Sequence, residues 1–238
     1  MVTAVADRWP PLARRASRAI AVAVPSVTSA LFVGRSMRQW GSNAADRRRS
    51  LPGDEEVHDP AIVTNRAVSI NAPARIVWPW LVQMGWRRGG WYSYDIIDND
   101  RQPSADVILA DFQGLEVGDF VPEGMNVGWT VKALEPPHLL LLATHGPMEG
   151  VEWVARRDSS WVFMVEDVDE EHSRLVERAR TSLTTNTDTL AGRAASWLAI
   201  PALTCGDFVM AHRHMHGVKR RAEREWSEAT SPGRTTGT

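Results

Sequence analysis

Apolar and polar residues alternate over 62–70, with Val68 and Ile70 on one side and Ala67 and Ser69 on the other, which is the period of a half-buried strand. Asn71-Ala72-Pro73 then opens a helix whose proline sits where a missing N–H costs nothing. Ile76, Val77, Trp80, Leu81 and Met84 build its single apolar face, Pro79 predicts a bend into a helix pair, and Gly85 ends it. From 120 to 181 the pattern returns to short strands: 120–121, 129–134, 139–143, 151–155, 161–166 and 174–181. Arg156-Arg157-Asp158-Ser159-Ser160 reads as a loop between two of them, and Glu135-Pro136-Pro137-His138 as a turn that holds its prolines outside the sheet. Connections this short require an antiparallel meander, because parallel strands need long crossovers.

The C-terminal third turns helical. Residues 182–187 read as a loop, Asp188 as the cap of a helix over 189–200 that Pro201 terminates, and Asp207 as the cap of a second helix over 208–226. Phe208, Ala211, Met215, Val218 and Ala222 form the apolar stripe of that second helix. The order of elements gives an α+β class: a curved antiparallel sheet of about six to seven strands, a bent helix pair after the first strand, and a long C-terminal helix laid across the sheet. Two such layers enclose space for a ligand.

Charge divides the chain. Residues 1–50 hold nine arginines against Asp7 and Asp46, a balance of +7, which leaves −9 on the remainder. An acidic body argues against a nucleic-acid partner, since a phosphate-tracking surface needs clustered cations on the folded domain. Between Arg18 and Arg35 lie sixteen uncharged residues, AIAVAVPSVTSALFVG, short of the ~20 that span a bilayer. The stretch reads as an interfacial anchor, as a helix packed on the domain or a partner, or as a secretory signal. The expected organisation is a basic, apolar arm over 1–40 with a membrane surface as its partner through 8–38, a polar linker over 41–60, a domain over 61–226 and a disordered tail over 227–238. The expected location is the cytoplasm or the cytoplasmic face of a membrane. The single cysteine, Cys205, excludes a disulfide framework and a cysteine-rich metal site.

Several strings resemble the START-like helix-grip superfamily, also called SRPBCC, which includes polyketide cyclase/dehydrase-like and lipid-transfer proteins. They are Leu51-Pro52-Gly53-Asp54-Glu55, Ala72-Pro73, Val77 to Gly85, Arg88-Gly89-Gly90-Trp91-Tyr92-Ser93-Tyr94-Asp95, Leu115 to Asp119, Phe208-Val209-Met210 and Gly217 to Glu223. The likeness is to an uncharacterised actinobacterial-type subgroup. The resemblance implies a sheet wrapped around the C-terminal helix and an internal cavity for a hydrophobic small molecule, lipid-like or polyketide-like. Fold kinship alone transfers no reaction. An aromatase/cyclase acting on a polyketide-like chain and an interaction protein recruiting a partner through its N-terminal helix are the other readings.

Residues 70–98 hold four of the eleven tryptophans and both tyrosines. Within them Tyr92, Tyr94 and Asp95 are candidates to orient a ligand or move a proton, with His212 as a fourth. Their ordinary reading is hydroxyls satisfying backbone groups and a carboxylate capping a turn. Trp80, Trp91, Trp129, Trp161, Phe208 and Met215 are expected either in the core or as pocket wall. Arg178 and Arg180 share one parity of the last strand; parity alone does not say which side faces the helix, and either arginine is a candidate to meet a ligand. His212 and His216 stand four apart, but Arg213 replaces the glutamate of a zinc-protease helix and no third ligand is evident, so no metal and no cofactor is expected. Nor is there a phosphate loop, a calcium loop or a serine-hydrolase elbow.

Overall fold

The computed structural model describes residues 33–147, 154–185 and 190–231, and the side chains of 154, 155, 185 and 190–203 lie outside that description. The chain forms two compact units, Met1–Met37 and Arg38–Thr238. Of the first, 33–37 are described and helical. No helix among the described residues is long and apolar enough to cross a membrane. Residues 19–32 of the apolar run and the tail beyond 231 fall outside the described residues, whereas 227–230, expected in a disordered tail, continue the C-terminal helix.

The second unit runs α1 (Ala44–Arg48), β1 (Ile62–Ile70), α2 (Ala74–Val82), the one-turn α3 (Asp95–Asp98), a 3-10 turn (Ala110–Phe112), β2 (Phe120–Pro122), β3 (Gly128–Glu135), β4 (Leu139–Pro147), β5 (Val154–Asp167), β6 (Ser173–Thr185) and α4 (Leu190–Thr230). Six strands join in one antiparallel sheet of order β1-β6-β5-β4-β3-β2. The first strand closes the meander beside the last, and α4 packs against β1, β6 and α2. This is the helix-grip fold that the resemblance implies.

Four local expectations change. Residues 156–160 are strand, because β5 continues from Val154 to Asp167. Its charges are placed by alternation and paired, Arg156 with Asp158 at 2.7 Å and Arg157 with Glu123 at 2.6 Å. The predicted loop over 182–187 is strand as far as Thr185. Pro201 does not end a helix: α4 runs through it for 41 residues, and Asp207 gives its carboxylate to Arg66 instead of capping a second helix. The bent pair reduces to α2, which contains Pro79, followed only by the single turn of α3.

The largest departure is residues 41–60. They pack on the outer face of the sheet and do not hang as a linker. Gly41 bridges to Arg66 of β1, and the Ala67 amide donates to the Trp40 carbonyl. Leu51 joins Leu139, Leu141 and Val162 in a small apolar cluster. Asp46 receives Arg174 at 2.6 Å, and Asp54 receives Arg178 at 2.7 Å. The sheet is therefore covered on both faces, and the main core lies between its inner face, α2 and α4.

Candidate functional site

Pairing registers sort the inner face into rows. Arg66, Glu177, Phe163 and Leu140 stand side by side in one, and Thr64, Ala179, Trp161 and Leu142 in the next. The row of Val68, Leu175 and Val165 is apolar. Toward Ser159 and Thr181, whose hydroxyls bond at 3.0 Å, the face becomes polar. The middle rows mix the two characters, and α4 presents Ala211, His214, Met215 and Val218 above them.

Arg66 is fully buried on this face. Its guanidinium reaches Glu177 at 3.1 Å and also meets Asp207 of α4, whose side chain is half exposed. Burial works against the arginine's charge, but the two carboxylates overcome it and hold its pKa above the ordinary value. Glu177 is 1 % exposed, and burial pushes its carboxyl pKa up, with Arg66 opposing and Asp207 adding to the rise. One arginine cannot neutralise two carboxylates, so this ionic group ties α4 to β1 and β6 and leaves Glu177 only partly compensated.

Trp161 is the hub of the aromatic residues. Trp91 stacks on it at 5.6 Å, and Trp129, Phe163 and His214 surround it at 5.5, 4.6 and 5.9 Å between ring centroids. His214 is 3 % exposed; its Nδ1 bonds the Trp91 carbonyl at 2.6 Å, and burial pushes its pKa down to about 4, so the ring is neutral at pH 7. Because a carbonyl only accepts, Nδ1 carries the proton and Nε2 presents a lone pair.

Around this hub polar atoms go unmet. Thr64 Oγ1, Trp129 Nε1, Trp161 Nε1, Glu177 Oε2 and His214 Nε2 are all buried without a hydrogen-bond partner among the described protein atoms. The Trp161 N–H lies close enough to Glu177 to favour its ionised form, yet the two do not meet in hydrogen-bond geometry. Each unmet buried group costs about 1–3 kcal/mol. Native interiors hold few of them, and a concentration in one layer asks for a reason.

The four proton-transfer candidates do not converge. The Tyr92 hydroxyl donates to the Trp80 carbonyl and accepts from Gln83, both at 3.0 Å, and burial raises its pKa well above the ordinary value. The Tyr94 ring lies under the Arg213 guanidinium, whose Nε donates to the Ser93 carbonyl at 2.7 Å. Asp95 accepts from the Ser104 hydroxyl, which in turn accepts from the Tyr92 amide at 3.0 Å. His212 lies on another side of α4, against Trp40 at 4.5 Å and His216 at 4.4 Å. Its pKa is lowered first by burial and then by His216.

Of the expected ligand-binding residues, Trp80, Trp91, Trp129 and Met215 are buried in the main core, and Trp161 packs against it. Phe208 is half-buried beside His212 at 5.6 Å. Arg178 and Arg180 point the other way. Arg178 donates to Asn65, Asp54 and the carbonyls of Asp46 and Arg49, and Arg180 donates to the Val57 carbonyl. Their register partners Val162 and Ser160 lie on the outer face, so neither arginine reaches the interior.

Arg66, Glu177 and His214 are the residues that pattern reading passed over. A signal existed, since Arg66 shares parity with Val68 and Ile70, and Glu177 shares it with Leu175. A charge on the apolar parity of a strand marks a buried ion. His214 falls between Ala211 and Val218 on the apolar stripe of α4, and it was masked by its neighbours His212 and His216.

No family model matches the chain, and no curated protein matches it. Solved structures of similar shape include protein MLL2253 from Mesorhizobium loti (13% identity, 68% of this chain and 98% of that one, TM-score 0.37). A conserved protein from Geobacillus kaustophilus is 12% identical over 69% of this chain and 97% of its own, with a TM-score of 0.35. The Zhui aromatase/cyclase from a Streptomyces species is 13% identical over 72% of this chain and 99% of its own, also at 0.35. Likeness at this level assigns no activity.

Proposed function

We propose that the protein binds a hydrophobic small molecule between the inner face of the sheet and α4, with the unmet polar atoms around Trp161 as the hydrogen-bonding end of the site. The observation that carries this reading is the set of five buried polar atoms without a partner among the described residues, gathered in the aromatic layer beside the Arg66–Glu177 pair. Ligand sites of this kind are mostly apolar with a few directed polar groups. The family resemblance supports the same reading.

Those atoms are closed to solvent, so a ligand enters a state in which α4 and the sheet have moved apart. Its apparent affinity then carries the cost of that opening. The aromatase/cyclase reading needs proton-transfer groups that share one cavity, and Tyr92, Tyr94, Asp95 and His212, engaged with separate partners, do not supply them together.

Native mass spectrometry of the purified full-length chain, before and after organic extraction, tests the proposal. A bound apolar compound whose removal lowers the melting temperature is the expected result. If no compound co-purifies, and none of a set of apolar molecules raises the melting temperature at 100 µM (roughly a typical screening level), the binding reading is wrong.

A further inference from the structure

The inventory of donors and acceptors around Trp161 also selects the functional group of the ligand, given the binding reading above. Indole N–H groups only donate, and two of them, on Trp129 and Trp161, are unmet. Two groups that only accept are unmet as well, Glu177 Oε2 and His214 Nε2, whose lone pair is fixed by the Nδ1 bond to the Trp91 carbonyl, and the unmet Thr64 hydroxyl can do either. Donors and acceptors therefore meet within a single layer, with Trp161 in contact with both Trp129 and His214.

We infer that the ligand is a neutral apolar molecule carrying a hydroxyl, an alcohol or a phenol, that accepts from the Trp161 N–H and donates to Glu177 Oε2. A hydroxyl is the smallest group that does both. A carbonyl accepts only, and leaves the carboxylate and the imidazole unmet. A carboxylate or phosphate brings a second negative charge beside Glu177, and the nearby Arg66 is already engaged by Glu177 and Asp207. An ammonium group answers the acceptors but cannot accept from the indoles, and it places a cation near Arg66.

Matched probes separate these cases on the full-length protein. Calorimetric titration compares 1-naphthol, naphthalene, 1-naphthoate and 1-naphthylmethylamine, and then tetradecanol against myristate for an aliphatic scaffold. The hydroxyl compound of at least one scaffold is expected to bind about tenfold or more tighter than its carboxylate, and naphthol similarly tighter than naphthalene, in line with one directed hydrogen-bond pair. Trp161→Phe removes the N–H together with part of the indole, so it should shift the binding of both probes while bringing the ratio of naphthol to naphthalene affinity from about tenfold to near one. Equal affinity for naphthol and naphthalene overturns the hydroxyl assignment and leaves the binding reading intact. Tighter binding of a carboxylate or of the amine also overturns it. Failure of every probe in both series, with no compound released by extraction, removes the binding reading and this inference together.

Discussion

Gly217 sits where α4 crosses the backbone of Tyr92, and it determines how closely helix and aromatic cluster approach. A Cβ built there would lie 2.3 Å from the Tyr92 carbonyl oxygen and 2.6 Å from its Cβ. Gly217→Ala gains about 1 kcal/mol of helix propensity, but overpacking of this kind costs about 1–3 kcal/mol. The contact is with backbone, which yields poorly. The variant should therefore unfold at lower urea than the parent by an amount worth about 1 kcal/mol or more, and an unchanged or higher midpoint would refute the close approach. His214 makes a second prediction at this scale. Its folded pKa is depressed to about 4 from 6.5, with burial as the cause. Between those values the unfolded chain binds a proton that the folded chain refuses. The stability it confers is thus full above about 6.5 and is lost as pH falls toward about 4, by about 3 kcal/mol in all. His214→Gln removes this proton uptake. Urea titrations at pH 7.5 and pH 5 should find the parent weakened more than the variant by about 2 kcal/mol; equal losses would mean that His214 titrates normally in the fold.

The elements were legible to different degrees, and the difference follows from how far each depends on distant partners. Ile62–Ile70 and the strands from β2 to β6 show in the alternation of residues, because one side of each is buried in the same core. The start of β5 does not show, since Arg156, Arg157 and Asp158 mimic a turn until Glu123 is seen beside Arg157. The continuity of α4 is hidden for the same reason: Pro201 and Asp207 are strong local stops, and only the ion pair from Asp207 to Arg66, far away in sequence, explains why the second is not one. Residues 41–60 are the clearest case. Their few apolar residues read as a linker, yet Arg178 is bound there by Asp54 and two backbone carbonyls, with Asn65 of β1 beside them and the arginine side chain 5 % exposed. Arg178→Met would leave the Asp54 carboxylate with the Leu51 amide and the more distant Arg180 at 3.7 Å, and would free two carbonyls beneath α1. Breaking a buried pair from one side costs about 3–5 kcal/mol, and Asp54 keeps some solvent, so about 3 kcal/mol is expected. Limited proteolysis should cut first within 41–60; initial cleavage elsewhere at the parent's rate would mean that Arg178 does not hold this segment down.

At the scale of the molecule, the covered outer face changes where the folding unit begins. A sheet needs one apolar face buried, and here the helix side supplies the main core. The opposite face carries Leu139, Leu141 and Val162, which Leu51 closes over, while Val57 is also buried. A chain starting at residue 61 would expose these three side chains as a contiguous patch, together with Arg174 and Arg178 stripped of Asp46 and Asp54. A chain starting at residue 38 keeps every one of these partners and the bond from Ala67 to Trp40. Exposed apolar patches on a sheet face promote association, and unpaired buried arginines oppose folding. The shorter chain should therefore aggregate or bind a hydrophobic dye, and should melt at least several degrees below the chain that starts at 38, given that 1 kcal/mol moves the midpoint of a domain this size by roughly 2–4 °C. Equal melting temperatures for the two truncations would mean that 38–60 is an accessory. A loss confined to the shorter one would make this segment a structural layer of the grip, holding the sheet from outside while α4 holds it from within. Any ligand that parts α4 from the sheet then works against a sheet already fixed on its far face, so the moving partner is the helix.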